Sequence, residues 1–542
     1  MKKLWNADLG NGCYRNPILC ADYSDPDVIR VGEDFYLIAS SFTYVPGVPV
    51  LHSKDLVNWE LISYCFRELP FSHYRQPVHG SGTWAPSLRY HNGIFYAFVP
   101  LPDEGIFVVK TEDPYGEWSK PWCIREAKGW IDPCPLWDDD GRAYMVFAYA
   151  RSRCGIKHRL SVCEIDPMAR RVIGEPRLVF DGELSNPTLE GPKFYKRGDW
   201  YYIFAPAGGV ATGWQSVLRS KSVYGPYEYR IVLHQGNTEV NGPHQGGYVE
   251  LTDGSGWFVH FQDIGVFGRI CHLQPVCWHG DWPFIGMEQN GDGIGEPVME
   301  WRKPVQDRDC RYAIAAEDEF DGDTLGLQWQ WQANPDPAWY SCRDAESCLR
   351  LFMVRNQARE ENLFWYQPNL LTQIPQNTDF CVEAKLTLAG VEEKDMAGLG
   401  MMGQRYVMAC VSMERTEIKT EAEAQIEAEA QAKTLDRYLV IVQGTVLSKE
   451  YAGEAKEDES MIAPLPPDGP VWIRMSVSRD AMASFAYSAD GTRYQEIAGC
   501  FPFDRAAWTG AKVALSARNG ANVASSGYCD VDYVRFWPKE ER

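Results

Sequence analysis

The sequence predicts an all-β protein, in which a five-bladed β-propeller is followed by a β-sandwich. One hairpin pattern occurs five times within the first 305 residues. From about residue 317 the pattern is replaced by short alternating strands, which are typical of a sandwich. Helical periodicity is scarce in the first of these regions.

The repeated pattern is a β-hairpin with a characteristic first residue. It begins with an acidic or small residue and then Pro or Gly. An apolar strand, a turn and a second strand rich in Tyr, Phe and Ile follow. The five copies are DYSDPDVIRVGEDFYLIAS from Asp22, WAPSLRYHNGIFYAFV from Trp84, IDPCPLWDDDGRAYMVFA from Ile131, LEGPKFYKRGDWYYIFAP from Leu189 and HQGGYVELTDGSGWFVHFQ from His244.

The spacing of the copies predicts propeller blades. If the lead positions are Asp25, Ala85, Asp132, Glu190 and His244, they are separated by 60, 47, 58 and 54 residues. Such periods are typical of one four-stranded blade plus a loop. We therefore predict five blades and assign residues 1–305 to the propeller.

The lead positions also predict a functional site. The first strand of each propeller blade begins near the central axis, so equivalent residues of different blades converge there. Asp25, Asp132, Glu190 and His244 would then lie together, and such a cluster is costly to desolvate. Clusters of this kind are candidate functional sites. The alternative is that these residues only cap turns at strand starts, as Asp-Pro often does.

The second half of the chain predicts a separate domain. Residues 306–316 are polar and unpatterned, which indicates a linker. Within residues 317–542 the predicted strands are in FDGDTLGLQWQW, FCVEAKLTL, RYLVIVQG, VWIRMSVSRDAMASFAYSADGTRYQEI and AKVALSARN. Residues 416–434 interrupt them with EAEAQ twice and without an apolar stripe, so we predict a solvated acidic insertion there.

Charge and cysteine content restrict partners and location. The formal net charge is −21, from 53 basic and 74 acidic side chains. This argues against a nucleic acid or an anionic membrane surface as partner. The 16 cysteines show no CxxC pair, and the N-terminal stretch has no uninterrupted apolar region. We therefore expect reduced thiols in a cytoplasmic protein; whether the chain forms a homo-oligomer stays open.

Five motifs resemble glycoside hydrolase family 43. They are SDPDVIRVGEDFYLIASSFTYVPGVPVLHSKDLVNWELI, GTWAPSLRYHNGIFYAF, GWIDPCPLWDDDGRAYMVF, LEGPKFYKRGDWYYIFAPAGG and NGPHQGGYVE, in the order of the family. The likeness is to β-xylosidases and α-L-arabinofuranosidases that join a five-bladed propeller to a concanavalin-like β-sandwich. The resemblance implies an exo-acting, inverting enzyme that releases terminal xylose or arabinofuranose from short oligosaccharides, with no organic cofactor.

The resemblance also implies residue roles. Asp25 matches the general base, Glu190 the general acid, and Asp132 the residue that orients the acid and adjusts its pKa. Asp27, two residues beyond the base, is expected to be structural. An inverting mechanism requires the acid and the base to stand roughly 6.5–9.5 Å apart, so that a water molecule fits beside the sugar.

Further positions match substrate and metal contacts of the family. Phe42 and Trp84 match walls of the sugar pocket, and Arg269 matches a donor to sugar hydroxyls. His244 matches a histidine that often contacts a bound calcium ion, which is otherwise held by water; a hydrogen-bonded histidine without metal is the alternative. Trp508 matches an aromatic from the second domain that closes the pocket, with Phe501 and Phe503 as rivals.

Two alternatives compete with this interpretation. A non-catalytic carbohydrate-binding protein on the same scaffold would not need the carboxylates. A retaining propeller glycosidase of the fructan-cleaving type would carry a stretch like WMNDPNG, which the sequence lacks. The segment YARSRCGIKHRL, residues 149–160, resembles a subgroup in which xylosidase and arabinofuranosidase activities mix, and it leaves the preferred sugar open.

Overall fold

The protein is represented by a computed structural model that describes residues 3–306, 312–415, 435–447, 454–520 and 524–539. The chain forms two compact units. The first contains Lys3–Phe71 and Gly80–Ala315, and the second contains Ser72–His79 and Ala316–Arg542. The predicted acidic insertion at 416–434, and residues 307–311 of the predicted linker, lie outside the described residues.

The first unit begins with β1 (Cys13–Arg15) and continues with five four-stranded antiparallel sheets. The strands in chain order are β2 (Asp27–Val31), β3 (Asp34–Ile38), β4 (Gly47–Ser53) and β5 (Trp59–Phe66); β6 (Ser87–His91), β7 (Ile94–Leu101), β8 (Gly105–Thr111) and β9 (Trp122–Glu126); β10 (Trp130–Trp137), β11 (Ala143–Tyr149), β12 (Arg159–Ile165) and β13 (Arg177–Asp181); β14 (Lys193–Arg197), β15 (Trp200–Ala207), β16 (Trp214–Ser220) and β17 (Glu228–Leu233); and β18 (His244–Glu250), β19 (Gly256–Asp263), β20 (Arg269–His279) and β21 (Trp282–Ile285).

These five sheets are the blades of a propeller. In each blade the strands pair in sequence order. The first strands contact one another around the axis: β18 contacts β2, β2 contacts β6, β6 contacts β10, and β10 contacts β14. The ring continues to β18 through the Tyr195 hydroxyl, which accepts a hydrogen bond from the Tyr248 amide at 2.9 Å. The prediction of a five-bladed propeller is confirmed.

The two ends of the propeller sequence are joined beside the fifth blade. β1 pairs antiparallel with β22 (Glu300–Arg302). The buried Asn16 amide donates to the carbonyls of Leu273 and Val298, both at 2.8 Å. A side chain near the N-terminus thereby connects β20 to the segment that leaves the last blade.

The turns explain why each repeat forms a hairpin. In the second blade, Asn92 and Gly93 join β6 to β7 with φ values of 50° and 84°. Two positive φ values give a type I′ turn, whose twist matches the flanking strands. Asn and Gly are the residues that adopt this conformation most readily.

Apolar side chains fill the spaces between neighbouring blades. One cluster joins the third and fourth blades and includes Val146, Val162, Phe194 and Ile203, none of which is exposed to solvent. Similar clusters lie between the second and third blades and between the fourth and fifth. These clusters form the hydrophobic core between the blades.

Helices are few and short in the described residues. One α-helix, α1 (Arg151–Cys154), lies between β11 and β12. The 3-10 helices are Ser72–Arg75, Gly265–Phe267, Pro337–Trp339 and Phe364–Tyr366. Within the described ranges, none of the helices has the length and apolar character needed to cross a membrane.

The second unit is a β-sandwich. Its strands in chain order are β23 (Trp329–Trp331), β24 (Tyr340–Ser341), β25 (Leu349–Phe352), β26 (Leu371–Gln373), β27 (Phe380–Ala389), β28 (Met396–Met402), β29 (Arg405–Arg415), β30 (Leu435–Val446), β31 (Ala455–Pro464), β32 (Val471–Ser478), β33 (Met482–Ser488), β34 (Gln495–Glu496), β35 (Phe501–Pro502), β36 (Lys512–Arg518) and β37 (Tyr528–Pro538). One sheet has the order β23-β26-β36-β28-β29-β30-β31, and the other β24-β25-β37-β27-β32-β33-β34, with β35 pairing β33. The prediction of a β-sandwich is confirmed.

A short segment from the first half of the chain belongs to this second unit. Residues 72–79, which the sequence analysis assigned to the propeller, group with the sandwich. The His79 ring stacks on Trp365 with centroids 3.6 Å apart, and its Nε2 lies 2.9 Å from the Trp365 carbonyl oxygen. Burial lowers the pKa of His79 to about 4, so a neutral imidazole packs there.

One buried ion pair and its neighbours connect four blades near the starts of the first strands. Asp27 is fully buried, and its Oδ2 accepts from Arg89 Nη1 and from the Leu88 amide, both at 2.8 Å. Arg89 also approaches Cys134 Sγ at 2.8 Å and lies over the ring of Tyr195. The contacts of Asp27 are therefore those of a buried ion pair that holds blades together.

We expect Arg89→Met to destabilise the propeller strongly. The change leaves the Asp27 carboxylate buried without its cation, which costs about 3–5 kcal/mol. The free energy of unfolding, measured by denaturant titration, should fall by that amount, and Asp27→Asn added to Arg89→Met should restore part of it.

Arg142→Met is the matched control. Arg142 pairs with Asp140, but the two side chains are 58% and 42% exposed. Exposed pairs contribute little, so this variant should unfold like the wild type. Equal stability of all variants would contradict a structural role for the Asp27–Arg89 pair.

Candidate active site

The predicted lead residues lie at the starts of the first strands. Asp25 precedes β2 by two residues, Asp132 lies near the start of β10, Glu190 precedes β14 by three residues, and His244 is the first residue of β18. The charges of Glu190 and Asp25 both act on Asp132, and His244 contacts Glu190. The propeller thus brings three carboxyls and an imidazole together.

Two of the three carboxyls are presented by an unusual backbone conformation. Asp25 and Asp132 have φ values of 57° and 55°, in the left-handed region that costs most residues on the order of 1 kcal/mol. Asp tolerates this region better than most. The β10–β11 register also shifts between Ile131 and Cys134, so Asp132 lies in a β-bulge. Bulges redirect side chains and are frequent beside active sites.

Asp25 is surrounded by hydrogen-bond donors. Its Oδ2 accepts from the hydroxyls of Ser24 at 2.9 Å and Ser40 at 2.6 Å, and its Oδ1 lies 3.0 Å from Arg269 Nη1. The residue is only 4% exposed. Three donors and a positive charge complement a carboxylate, so this environment suits a base.

Arg269 is held in place from three sides. Its backbone amide donates to Asp22 Oδ1 at 2.8 Å, its Nη1 donates to Ser24 Oγ at 2.6 Å, and its guanidinium lies 4.9 Å from the centroid of Phe261. The side chain is 9% exposed. Its carboxylate partner is Asp25. The predicted bond from Arg269 to sugar hydroxyls stays a prediction.

Asp132 is the most buried of the three carboxyls, at 2% exposure. Burial, the charge of Glu190 and, more weakly, the charge of Asp25 raise its pKa well above the usual range, and a hydrogen bond from the Gly191 amide opposes this. That bond is 2.7 Å long. Gly191 has a φ of 58°, and a Cβ at this position would meet the Gln245 side chain at 2.5 Å. Position 191 therefore requires glycine, because a side chain there would collide with Gln245.

Glu190 is partly open to solvent. Its side chain is 26% exposed, whereas the side chain of His244 is fully buried. Oε1 of Glu190 lies 3.0 Å from Nε2 of His244, and the Glu190 amide donates to the Pro206 carbonyl at 3.2 Å. One oxygen is thus fixed by the histidine, while part of the carboxyl faces outward.

The residues around His244 do not fit a calcium ion held by protein ligands. Nδ1 of His244 is buried and finds no hydrogen-bond partner among the described residues. No group of three His, Cys, Asp or Glu side chains in the described ranges has the arrangement of a metal site. Calcium prefers six to eight oxygen ligands, and a single imidazole nitrogen supplies none. The predicted contact of His244 with a calcium ion otherwise held by water stays a prediction.

Phe42 and Trp84 lie together, as expected for neighbouring walls of one pocket. Their ring centroids are 6.2 Å apart with the planes at 59°. The backbones of Phe42 and Thr83 exchange hydrogen bonds of 2.9 and 3.0 Å. Phe42 is 3% exposed with a φ of 53°, so its ring is mostly enclosed.

The sequence analysis missed Arg153, which positions Trp84. Its guanidinium lies 5.1 Å from the Trp84 centroid. The Gly80 carbonyl accepts from Arg153 Nη2 and from Trp84 Nε1, both at 3.2 Å. Arg153 Nε also donates to Asp103 Oδ1 at 3.3 Å. Arg153 belongs to α1, inside the segment 149–160, but nothing in the sequence connects that segment to Trp84 or Asp103.

Ser24 and Ser40 were also missed, although a local signal existed. Ser24 precedes Asp25 directly, and Ser40 follows the second strand of the same hairpin. The Ser40 amide donates to the Ser24 carbonyl at 2.9 Å, which brings both hydroxyls to one carboxylate. Polar residues at both ends of a hairpin that starts with an acid are such a signal.

Trp508, Phe501 and Phe503 belong to the second unit. Trp508 is 38% exposed with a φ of 68°, and Phe503 is 3% exposed. Their predicted contribution to the pocket stays a prediction.

Relatives of known description share much of the chain. A putative β-xylosidase of Xylanibacter ruminicola is 41% identical over 419 residues, which cover 74% of this chain and 76% of that protein. A β-xylosidase of Formosa agariphila is 30% identical over 98% of this chain and 91% of its own length. A non-reducing end α-L-arabinofuranosidase of Bacteroides ovatus is 34% identical over 64% of this chain and 67% of its own length.

A solved structure shows the same fold. The xylan β-1,4-xylosidase of Bacillus halodurans superposes with a TM-score of 0.79 at 24% identity, over 96% of this chain and 99% of that one.

Family descriptions match both units. Residues 14–283 match "Glycosyl hydrolases family 43", and residues 317–537 match "Beta xylosidase C-terminal Concanavalin A-like domain". Together with the relatives, these matches confirm the predicted family and the prediction of an enzyme that hydrolyses glycosidic bonds. The chain belongs to glycoside hydrolase family 43.

Proposed function

We propose that this enzyme removes single terminal pentoses, xylose or arabinofuranose, from the non-reducing ends of short oligosaccharides with inversion at the anomeric carbon. The observation that carries the proposal is the split environment of the carboxyls. Asp25 is enclosed by Arg269, Ser24 and Ser40, whereas Glu190 is partly open and has no guanidinium or ammonium partner within 4 Å among the described residues.

The split environment assigns the chemical roles. Glu190 gives its proton to the leaving oxygen as the bond from that oxygen to the anomeric carbon breaks. A water molecule forms the new bond to the anomeric carbon from the opposite face and gives its proton to Asp25. The proton then returns from Asp25 to Glu190 through solvent before the next turnover. Asp132 orients the acid and supplies a nearby negative charge.

His244 fixes the direction in which Glu190 donates. A buried N–H without an acceptor is costly, and Nδ1 of His244 lacks an acceptor among the described residues. The neutral tautomer with hydrogen on Nε2 avoids that cost and donates to Oε1 of Glu190. Oε2 is then the atom that carries the acidic proton.

The relatives support both pentoses. The names of two of them give β-xylosidase activity, one as putative, and the name of the third gives α-L-arabinofuranosidase activity at non-reducing ends. We also propose that the enzyme is cytoplasmic. The 15 cysteines in the described ranges carry free thiols, and thiols stay reduced in the cytosol.

We expect Glu190→Gln to distinguish two kinds of substrate. Hydrolysis of xylobiose should fall by about 10²–10⁴-fold, because its leaving group needs a proton. Hydrolysis of an aryl β-xyloside should fall less, because a phenolate leaves without full protonation. Steady-state kcat/KM on both substrates measures the difference.

Two further variants are compared with Glu190→Gln. Asp25→Asn should lose both substrates alike, because both need an activated water. Glu183→Gln, at an exposed position, should keep wild-type rates. An equal loss of both substrates in Glu190→Gln would contradict its role as the acid.

We expect the first-formed sugar to have the inverted configuration. Proton NMR during hydrolysis of an aryl β-xyloside should show α-xylose before mutarotation, and an aryl α-L-arabinofuranoside should give the β-anomer. The same two substrates, assayed side by side, rank the sugars. First release of the retained anomer would overturn the inverting mechanism.

We expect Arg153→Ala to weaken substrate binding more than chemistry. Trp84 would lose a cation–π contact, which contributes about 1 kcal/mol, and the hydrogen bonds that fix its neighbours. KM should rise by up to about tenfold while kcat changes by less than threefold.

Arg153→Lys is the control, since it keeps the charge over the ring but loses the planar fork of donors. An intermediate KM is expected. A fall in kcat at unchanged KM would contradict a role that acts through the pocket wall.

A further inference from the structure

Lys193 is a fully buried lysine beside the candidate active site, and the mechanism above does not use it. It is the first residue of β14, three residues after Glu190, and its exposure is 0%. Nζ donates to the Pro86 carbonyl at 2.7 Å and to Ser87 Oγ at 2.9 Å. Both acceptors are neutral, and no described carboxylate lies within 4 Å of Nζ.

A buried ammonium without a carboxylate is unusual, because removing a charge from water is costly unless an opposite charge compensates. The hydrogen bonds to Pro86 and Ser87 satisfy donors but do not neutralise the charge. A compensating anion must therefore act over a longer distance.

Pairing with cations distinguishes the carboxyls around the axis. Asp25 pairs with Arg269 at 3.0 Å, and Asp27 pairs with Arg89 at 2.8 Å. Asp132 has neither a guanidinium nor an ammonium within 4 Å among the described residues. Glu190 also lacks one, but Asp132 belongs to β10, which contacts both β14 and β6, and the Lys193 side chain extends from β14 to Pro86 and Ser87 at the start of β6.

The backbone places these two groups in adjacent blades. β10, which carries Asp132, contacts β14, which carries Lys193. The Gly191 amide, two residues before Lys193, donates to Asp132. The positive charge of Lys193 lowers the pKa of Asp132, against the larger effects of burial and of the charge of Glu190.

We propose that Lys193 is the buried counter-charge that keeps Asp132 ionised during turnover, and that it thereby sets the acidic limit of activity. Lys193 acts through Asp132 and is a positioning residue that does not touch the sugar. The inference rests on the proposed function, because it takes the ionised form of Asp132 as the one that orients the acid.

Other ionisable groups lie near Asp132 and Lys193 and could also affect the pKa of Asp132. Glu190 and Asp25 act on Asp132 and oppose Lys193. Arg89 lies next to β14, with Nη2 3.5 Å from the Phe194 carbonyl oxygen, but it is compensated by Asp27. Cys134 is a thiol between the two blades, and burial raises its pKa, so it adds no charge near neutral pH.

The sign of the pH effect follows directly. Removing the cation destabilises the Asp132 carboxylate and raises its pKa. Asp132 is then protonated at a higher pH, so activity is lost earlier as the pH falls. The neutral variant should therefore lose activity on the acidic side of the profile.

The test compares pH profiles of kcat/KM for Lys193→Met and the wild type on an aryl β-xyloside. We expect the acidic limb to move to higher pH by about one unit, which is a tenfold loss at pH values below the limb. On the alkaline side, kcat/KM should stay within a few-fold of the wild type. A profile that coincides with the wild type would overturn the proposal.

Ser87→Ala is the matched control. It removes one hydrogen bond from Nζ and keeps the charge, so its profile should coincide with that of the wild type. If Ser87→Ala shifts the limb as Lys193→Met does, the hydrogen bonds are responsible and the proposal fails. In an Asp132→Asn background, Lys193→Met should no longer move the limb.

A stability measurement covers the case in which Lys193→Met does not fold. Asp132→Asn leaves Lys193 without its anion, so the thermal midpoint should fall. The double variant Asp132→Asn/Lys193→Met is neutral at both positions and should fold better than Lys193→Met alone. If neither Lys193→Met nor the double variant folds, the protein needs Lys193 for its hydrogen bonds to the second blade, and the proposal is wrong.

The proposed function and this inference fail in different ways. If the wild type hydrolyses neither aryl pentoside, the proposed function is wrong. If the wild type and Glu190→Gln behave as expected but Lys193→Met keeps the wild-type acidic limb, only the role of Lys193 is wrong.

Discussion

The carboxyls of Asp25, Asp132 and Glu190 lie close together at the propeller axis. Because their negative charges repel one another, each needs neighbouring groups that stabilise it. Each is stabilised differently: Asp25 by a guanidinium and two hydroxyls, Asp132 by the Gly191 amide, and Glu190 by a histidine and partial exposure. Because an uncompensated buried charge costs several kcal/mol, these neighbours determine which carboxyl holds a proton. The reaction needs such a difference, since one carboxyl must donate a proton while another accepts one.

The blades were predictable because their signal is local. A two-residue turn such as Asn92–Gly93 between apolar strands determines a hairpin wherever it occurs, and five copies determine the architecture. In the sandwich, eight strands were not predicted: β24, β25, β26, β28, β29, β31, β35 and β37. Strands β28 and β31 illustrate two of the reasons. A Cβ at Gly398 of β28 would meet the Ala409 carbonyl oxygen at 2.1 Å, so close approach selects glycine there, a poor strand former. Strand β31 reads AKEDESMIAP and lies at a sheet edge, where charged residues prevent aggregation but hide the strand pattern.

The site was predictable only where it follows the repeat. The four lead residues converge because equivalent positions of different blades face one axis. Arg153 and Lys193 are not lead residues, and their partners are distant in sequence: Arg153 bonds to Asp103, and Lys193 to Ser87. Such contacts depend on how blades pack against each other, which no local pattern encodes. The roles of Arg269 and Trp84 came from the family resemblance alone.

Under the proposed function, catalysis and sugar selection belong to different parts of the propeller. The acid, the base and their compensating groups lie at the starts of first strands, where bulges and glycines fix the backbone. Trp84, whose ring lies beside Phe42, contacts Arg153 on a short helix between β11 and β12. Loops and their short helices tolerate change more readily than the strands they join. A change in α1 can therefore alter the surroundings of Trp84 without disturbing the charges at the axis. Under the proposed function, this separation lets the sugar preference change while the acid and the base stay in place.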